Sequence, residues 1–307
     1  MAAIARHICI QTDTKNYKLG DVSDRSLDLV FSDIHADIHA LNTIFGIASS
    51  LEFTKKYGAF SRIINLGDVL ERGTHPKEVL SRLKSFETNY PLFSVMGNHD
   101  EAFLYNRLVG GSSIESMDAH AKLNSEDISF FKENDDGKFG KQEFIDKKHG
   151  LFCVHGGPLD PEKIKPKTIQ NEEAWLYQKS WQRLTEEDFE FFTYSGYHYT
   201  ASSAFDEAEK HVKNHIILCG HQHREETIMQ DSHIRSIYPA LKSAKEKLSG
   251  HILESKEIEI NSSNNYLIRL GIGGPEGHYV KDSEVPHFAI VQYDPKRVIL
   301  FTVYTRD

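Results

Sequence analysis

The chain has 307 residues, 39% hydrophobic and 26% charged, with a formal net charge of −9 and no polybasic run. These values suit a globular fold with a sizeable core; they argue against a nucleic-acid partner, and no apolar run approaches the about 18 residues of a helical membrane span. Cys9, Cys153 and Cys219 are odd in number and widely spaced, so no disulfide framework is implied; with no signal-peptide pattern at the N-terminus, a reducing, cytoplasmic setting is expected.

"LDLVF" (27–31) reads as a short buried strand. Ile38, Leu41, Ile44, Phe45 and Ala48 recur at helical spacing and predict a helix over 36–51. "RIINL" (62–66) is again strand-like, and 75–87 reads as a helix with Pro76 in its first turn. A strand over 91–96 and a helix over 100–109 follow. This alternation predicts a mostly parallel, buried sheet. Residues 110–149 are polar and rich in Gly, Ser and Asp, and read as an inserted, partly helical segment. The strand pattern resumes at 150–155. A second insertion, 158–205, holds aromatic-rich stretches at 174–184 and 186–192 that read as helical. "HIILC" (215–219) is the next strand, and the tail from 266 is β-rich, with a hairpin turn at Asp294-Pro295-Lys296. No repeat or linker divides the chain, so a single domain over 1–307 with two insertions is expected.

The residues that end each strand carry the chemistry. After 27–31 come Asp33 and His35; after 62–66 come Asp68, Glu71 and Arg72. Asn98, His99 and Asp100 follow 91–96, His155 ends the strand at 150–155, and His221 and His223 follow 215–219. In an α/β sheet the carboxyl ends of parallel strands share one edge, where ligands bind. Residues spread over most of the chain thus converge. Asp33, His35, Asp68, Asn98, His155, His221 and His223 offer a mixed nitrogen and oxygen donor set suited to manganese, with iron and zinc as alternatives. Seven donors exceed the needs of one ion, whereas two divalent ions about 3.5–4 Å apart and sharing a carboxylate would use them all. A lone histidine in such a place is usually an ordinary surface or core residue; the ordered run of five clusters is what makes the pattern specific.

The ordered set "DIH" (33–35), "GDVLERG" (67–73), "GNHD" (97–100), "HGG" (155–157) and "GHQH" (220–223) resembles the calcineurin-like metallophosphoesterase superfamily. The resemblance implies an α/β (α+β) four-layer fold, a central β-sandwich flanked by helices, with a dinuclear metal centre at one sheet edge. It implies that Asp33, His35, Asp68 and His223 hold one metal and that Asp68, Asn98, His155 and His221 hold the other, Asp68 bridging. "HGG", Arg72 and the segment leading into "GHQ" are similar to the phosphoprotein phosphatase branch, the serine/threonine protein phosphatases and their bacterial relatives. Glu71 stands where that branch usually has Asp, and the second histidine of "GHQH" is typical of other members. The tail "LGIGGPEGHYVKDSEVPHFAIVQYD" looks like that of small bacterial phosphodiesterases.

Two cations sharing a carboxylate would ready a water for in-line attack on phosphorus. Arg72 has the planar fork that matches phosphoryl oxygens. His99 is the candidate proton donor to the leaving oxygen. By resemblance Glu71 holds its ring, with Asp100 as the competing carboxylate. Arg183 reads first as a solvated helix residue and second as another phosphate-gripping arginine. Trp175, Tyr177 and Trp181 read as packing. His39 falls inside the first helix, and His278 could line the site. The expected function is a phosphomonoesterase, first a protein phosphatase acting on phosphoserine and phosphothreonine, with phosphotyrosine a further substrate. The alternative is a small-molecule phosphoesterase, a dinucleoside polyphosphate hydrolase or phosphodiesterase. A non-enzymatic scaffold would typically have lost ligands, and every expected donor is present.

Overall fold

The computed structural model describes residues 27–107, 109–131, 141–168, 171–276 and 285–304. Its strands are β1 (Leu27–Phe31), β2 (Phe60–Asn65), β3 (Leu92–Ser94), β4 (Glu143–Asp146), β5 (Leu151–Val154), β6 (Arg183–Leu184), β7 (Phe191–Thr193), β8 (Gly196–Tyr199), β9 (Ile216–Cys219), β10 (Glu226–Gln230), β11 (Ile234–Ser236), β12 (Ser243–Leu248), β13 (His251–Glu259), β14 (Asn265–Arg269), β15 (His287–Tyr293) and β16 (Lys296–Tyr304). One sheet runs β12-β13-β16-β15-β1-β2-β3, the other β11-β10-β14-β9-β5-β4, and β6, β8 and β7 form a small third sheet.

Alternation along the strands builds the layers. Leu27, Leu29 and Phe31 of β1 point outward against Leu41, Ile44 and Phe45 of the helix Ile38–Ala48 and Val79, Leu80 and Leu83 of the helix Pro76–Glu87. Val30 points the other way, and with Ile64, Ala289, Val291 and Leu300 it meets Leu151, Cys153, Ile216, Leu218 and Ile268 of the second sheet. The outer face of that sheet, Phe152, Val154, Ile217 and Leu267, is covered by Ala204, Phe205 and Ala208 of the helix Ala201–Glu209. Burying each large apolar side chain contributes about 1.5–3 kcal/mol, so this four-layer sandwich, the architecture the resemblance implies, is held by three apolar layers. Side chains set the helix starts: Asp37 Oδ1 accepts Ala40 N–H at 2.8 Å, and Thr200 Oγ1 accepts Ser203 N–H at 3.2 Å. Among the described residues no helix is long and apolar enough to cross a membrane.

Two expectations are corrected. The sheets are mixed rather than mostly parallel: β1-β2-β3 and β5-β9-β14 run parallel, but β15 returns antiparallel to β1, and β16, β13 and β12 continue that way. Short hairpins, including the cis Asp294–Pro295 turn between β15 and β16, allow antiparallel addition where no crossover helix is available. The helices expected at 174–184 and 186–192 are absent. Asn171–Ala174 and Trp175–Tyr177 make single turns, and β6, β7 and β8 follow. Aromatic residues pack as well on a pleated surface, and Gly196, at φ 118°, turns the β7–β8 hairpin. Finally, the segment 226–259, which carried no expectation, supplies four strands. The first insertion contains the helices Ile114–His120 and Ser125–Ile128 and the strand β4.

Candidate active site

The loops after β1, β2, β3, β5 and β9 meet at one edge of the sandwich, because those strands are parallel within each sheet. The loops brace one another. Asp33 N–H donates to Gly67 O at 2.9 Å, His35 N–H to Asp68 O at 2.9 Å, and Gly220 N–H to His155 O at 2.8 Å. Asp33, His35, Asp68, Glu71, Arg72, His221 and His223 all adopt left-handed backbone, with φ between 48° and 66°. Each such residue costs about 1–3 kcal/mol and persists only when its surroundings over-determine it, as they do at functional sites. Two glycines make room: a Cβ at Gly97 would collide with Asp68, and one at Gly220 with Ser32 and Asp33.

The side chains then converge. One donor atom from each of Asp33, His35, Asp68 and His223 falls within 4.8 Å of the others, and the same holds for Asp68, His155 and His221. His223 Nε2 lies 3.3 Å from Asp33 Oδ1 and 3.3 Å from His35 Nε2. His155 Nε2 lies 3.2 Å from Asp68 Oδ2 and 3.0 Å from Asn98 Oδ1. Asp68 belongs to both groups. Its Oδ1 accepts His99 N–H at 2.9 Å, which leaves Oδ2 turned into the cluster.

The cluster fits divalent cations. His35 and His155 donate Nδ1–H to Leu70 O at 3.2 Å and Leu66 O at 2.7 Å, so each presents an Nε2 lone pair inward. Metal-ligating histidines are oriented in this way. Asp68 Oδ2 and His221 Nε2 are buried without a hydrogen-bond partner, a costly state that a cation would relieve. Burial would raise the Asp68 carboxyl, but the imidazoles of His155, His99 and His35 outweigh it and hold it well below the usual range. Burial keeps His35 and His221 well below the ordinary histidine value. His155 goes the other way, up to about 9: burial opposes the shift, but the Asp68 charge overcomes it. A divalent ion would compete with that proton for the same lone pair.

Comparison with known proteins agrees with the donor pattern. The model of the calcineurin-like phosphoesterase family matches residues 29–225. The chain belongs to that family. As a calcineurin-like phosphoesterase it is a metal-dependent hydrolase of phosphoesters. Among solved structures, a metallophosphoesterase from Sphaerobacter thermophilus is similar at 20% identity over 92% of this chain and 89% of that one, with a TM-score of 0.53. A hypothetical protein from Pyrococcus horikoshii is similar at 13% identity over 92% of this chain and 89% of that one, with a TM-score of 0.55. These are likenesses of fold. No curated protein matches the chain.

Beside this phosphoesterase's cluster, His99 Nδ1 lies 2.6 Å from Glu71 Oε2, and Arg72 Nη2 donates to His99 Nε2 at 3.2 Å. Asp100, the competing carboxylate, turns away. Its Oδ1 accepts the N–H groups of Val69 and Leu70, each at 2.9 Å, and its Oδ2 accepts Gly97 N–H at 3.1 Å. Burial, and then the charge of Asp68, raise its pKa. Arg183 is not on a helix. It lies in β6, its Nε donates to Ser195 O at 2.9 Å, and burial lowers its pKa while Asp68, Arg72 and Asp33 act on its charge. Trp181 is buried with its ring centroid 6.5 Å from that of His221, and Tyr177 stacks on Phe192. His39 sits on the exposed face of its helix near His75, outside the cluster. His278 and Cys9 lie outside the described residues. The sequence reading did not single out Ser112 and His120, which accept the backbone N–H groups of Arg72 and Glu71. No local motif marks them.

Proposed function

We propose that the protein is a phosphomonoesterase of the phosphoprotein phosphatase branch, acting on phosphoserine and phosphothreonine, with phosphotyrosine a further substrate. In this reading Asp33, His35, Asp68 and His223 hold one divalent ion, and Asp68, Asn98, His155 and His221 the other. The mixed donor set favours manganese over purely oxygen-seeking ions. The observation that carries the reading is the presence of two guanidinium groups beside one cluster: Arg72, bonded to His99 Nε2, and Arg183, on which the charges of Asp68, Arg72 and Asp33 act. A phosphomonoester brings more negative charge and more free oxygens than a diester, and two planar forks suit it.

The bound ions would supply Lewis-acid charge and a readied water. The chain does the rest. Arg72 grips phosphoryl oxygens in place of its contact with His99 Nε2. Glu71 keeps the His99 ring turned by its bond to Nδ1. Nε2, freed from Arg72, takes up a proton from solvent and passes it to the leaving oxygen as the phosphorus–oxygen bond breaks.

A protein substrate is supported by what flanks the arginines. Phe189 and Tyr194 are 61% and 81% exposed on the segment that holds Arg183, and Ile114 and Met117 are 70% and 53% exposed on the segment that bonds Glu71 and Arg72. Exposed apolar side chains on both sides offer a surface for a peptide. We read the chain as one domain with 110–149 and 158–205 inserted, in a reducing cytoplasmic setting; the buried, free Cys153 and Cys219 support the latter. One observation favours the alternative, a dinucleoside polyphosphate hydrolase or phosphodiesterase: the second histidine, His223, stands within the cluster. A panel of phosphoserine peptide, diadenosine tetraphosphate and bis(p-nitrophenyl) phosphate, assayed with Mn²⁺, separates the two. We expect the highest kcat/KM on the peptide; a higher value on either small ester overturns the protein-phosphatase reading.

A further inference from the structure

We infer that the inserted stretch from Ser112 to His120 is a positioning device for the catalytic loop: it holds Glu71 and Arg72 in a backbone conformation they would not keep alone, and so aims both at His99. The inference rests on the roles proposed above for Glu71 and Arg72.

Glu71 and Arg72 are consecutive non-glycine residues in left-handed backbone, at φ 65° and 66°. Such a pair relaxes unless something restrains it. The backbone N–H groups of the loop have distinct partners. Val69 and Leu70 donate to Asp100 Oδ1, and Gly73 donates to His35 O at 2.9 Å, so both ends of the loop are tied to the site itself. The two central groups are tied to the insertion: Glu71 N–H donates to His120 Nε2 at 2.7 Å, and Arg72 N–H to Ser112 Oγ at 3.1 Å.

The insertion is built to present those acceptors. Ser113 caps the helix Ile114–His120, its Oγ accepting Ser116 N–H at 3.1 Å. His120 donates Nδ1–H to Ser116 O at 2.7 Å, which fixes Nε2 as the acceptor. Its ring is buried, edge-on to Phe103 with centroids 5.5 Å apart, and Phe103 belongs to the same helix as Asn98 and His99. Burial lowers the pKa of His120, so the Nε2 lone pair stays available. A tautomer set by one hydrogen bond thus serves a second, and an acceptor some 50 positions downstream orients the loop. Losing it would release both contacts to His99 together, Glu71 Oε2 to Nδ1 and Arg72 Nη2 to Nε2.

The test uses the full chain with Mn²⁺ and compares His120→Phe, which keeps a ring but accepts nothing, with His120→Gln, whose amide oxygen can accept Glu71 N–H. Four quantities are read: bound metal, thermal midpoint, exchange of the Glu71 amide hydrogen, and kcat/KM on a phosphoserine peptide, whose alkoxide leaving group needs the proton from His99. His120→Phe is expected to keep its metal and its midpoint while the Glu71 amide exchanges at least ~100-fold faster and kcat/KM falls at least ~30-fold. His120→Gln is expected to restore both to within ~3-fold of the parent. Unchanged exchange in His120→Phe, or an activity loss that Gln does not rescue, overturns the inference. If His120→Phe does not fold, Ser112→Ala carries the same measurements at the Arg72 amide. If the parent turns over no phosphoester, the functional reading fails, and amide exchange alone decides whether the device exists.

Discussion

His35 Nε2 faces His223 Nε2 across 3.3 Å, although 188 residues separate the two in the chain. His35 gives its other ring hydrogen to Leu70 O, so its inward nitrogen carries a lone pair. Two imidazole nitrogens brought this close need a proton or a cation between them, and Asp33 Oδ1, 3.3 Å from His223 Nε2, makes a shared positive charge the favourable solution.

Asp68 is the residue on which both halves of the cluster depend. Asn in its place has the same shape and can still accept His99 N–H, so Asp68→Asn should fold, with a lower thermal midpoint in chelator because the charge that faces His155 is gone. It should bind less metal by elemental analysis, and its kcat should fall roughly 1000-fold or more, since the shared charge that organises the centre is gone. Full turnover in a folded, metal-loaded Asp68→Asn would sink the bridging role.

His99 and Glu71 make a separable prediction. A proton donor matters in proportion to how poor the leaving group is, and such a donor typically contributes about 100- to 10,000-fold. His99→Ala should therefore lose that much on a phosphoserine peptide and far less on p-nitrophenyl phosphate, whose phenolate leaves unaided. Glu71→Gln keeps a hydrogen bond to Nδ1 and should lose less on both. Equal losses on the two substrates would mean that His99 does not deliver a proton.

The cluster is legible in the sequence because each donor directly follows an apolar strand. Asp33, Asp68, Asn98, His155 and His221 need only the rule that parallel strands end at one edge. Arg183 is less legible. In "AWLYQKSWQRL" the large residues recur at a spacing that fits a helix, and only pairing with His198 and Tyr199 of the β7–β8 hairpin makes Arg183–Leu184 a strand. The β12–β13 hairpin escapes notice for another reason. It lies at a sheet edge with one face in water, so charged residues dilute its apolar alternation. Ser249-Gly250, both left-handed at φ 51° and 86°, is the local signal for it, a two-residue hairpin turn. Ser112 and His120 act on the backbone of residues far away in sequence, and no spacing rule reaches that.

Arg183 should behave as a substrate-binding group rather than a solvated one. Ser195 O fixes its Nε and leaves the rest of the fork for a ligand. A hydrogen bond to a charged group contributes about 1.5–3 kcal/mol, so Arg183→Ala should lower kcat/KM by roughly 10- to 150-fold on a phosphomonoester. Inhibition by inorganic phosphate should weaken in parallel. An unaltered phosphate inhibition constant would return Arg183 to a structural role.

Far from the site, acid stability should depend on one network joining the two sheets. Arg62 on β2 donates through Nε and Nη2 to Asp28 on β1, at 2.9 and 2.6 Å, and through Nη1 to Asp146 on β4 at 2.6 Å. His149 Nδ1 adds a contact to Asp146 at 2.7 Å. Burial would raise the Asp146 carboxyl, but the bonds from His149 and Arg62 outweigh it and lower its pKa below 3.8. A carboxyl lowered on folding binds fewer protons in the folded state than in the unfolded chain. Its contribution is therefore present in full above the ordinary value and is lost as the pH falls through the lower, folded value. Asp146→Asn should destabilise the protein by about 1–3 kcal/mol in urea at pH 7. The gap to the parent should close on titration below 3.8. Acid also protonates the metal-site groups, but it does so in both proteins, so the difference isolates Asp146. A gap of the same size at pH 7 and well below 3.8 would show that the charge of Asp146 contributes nothing to the join between the sheets.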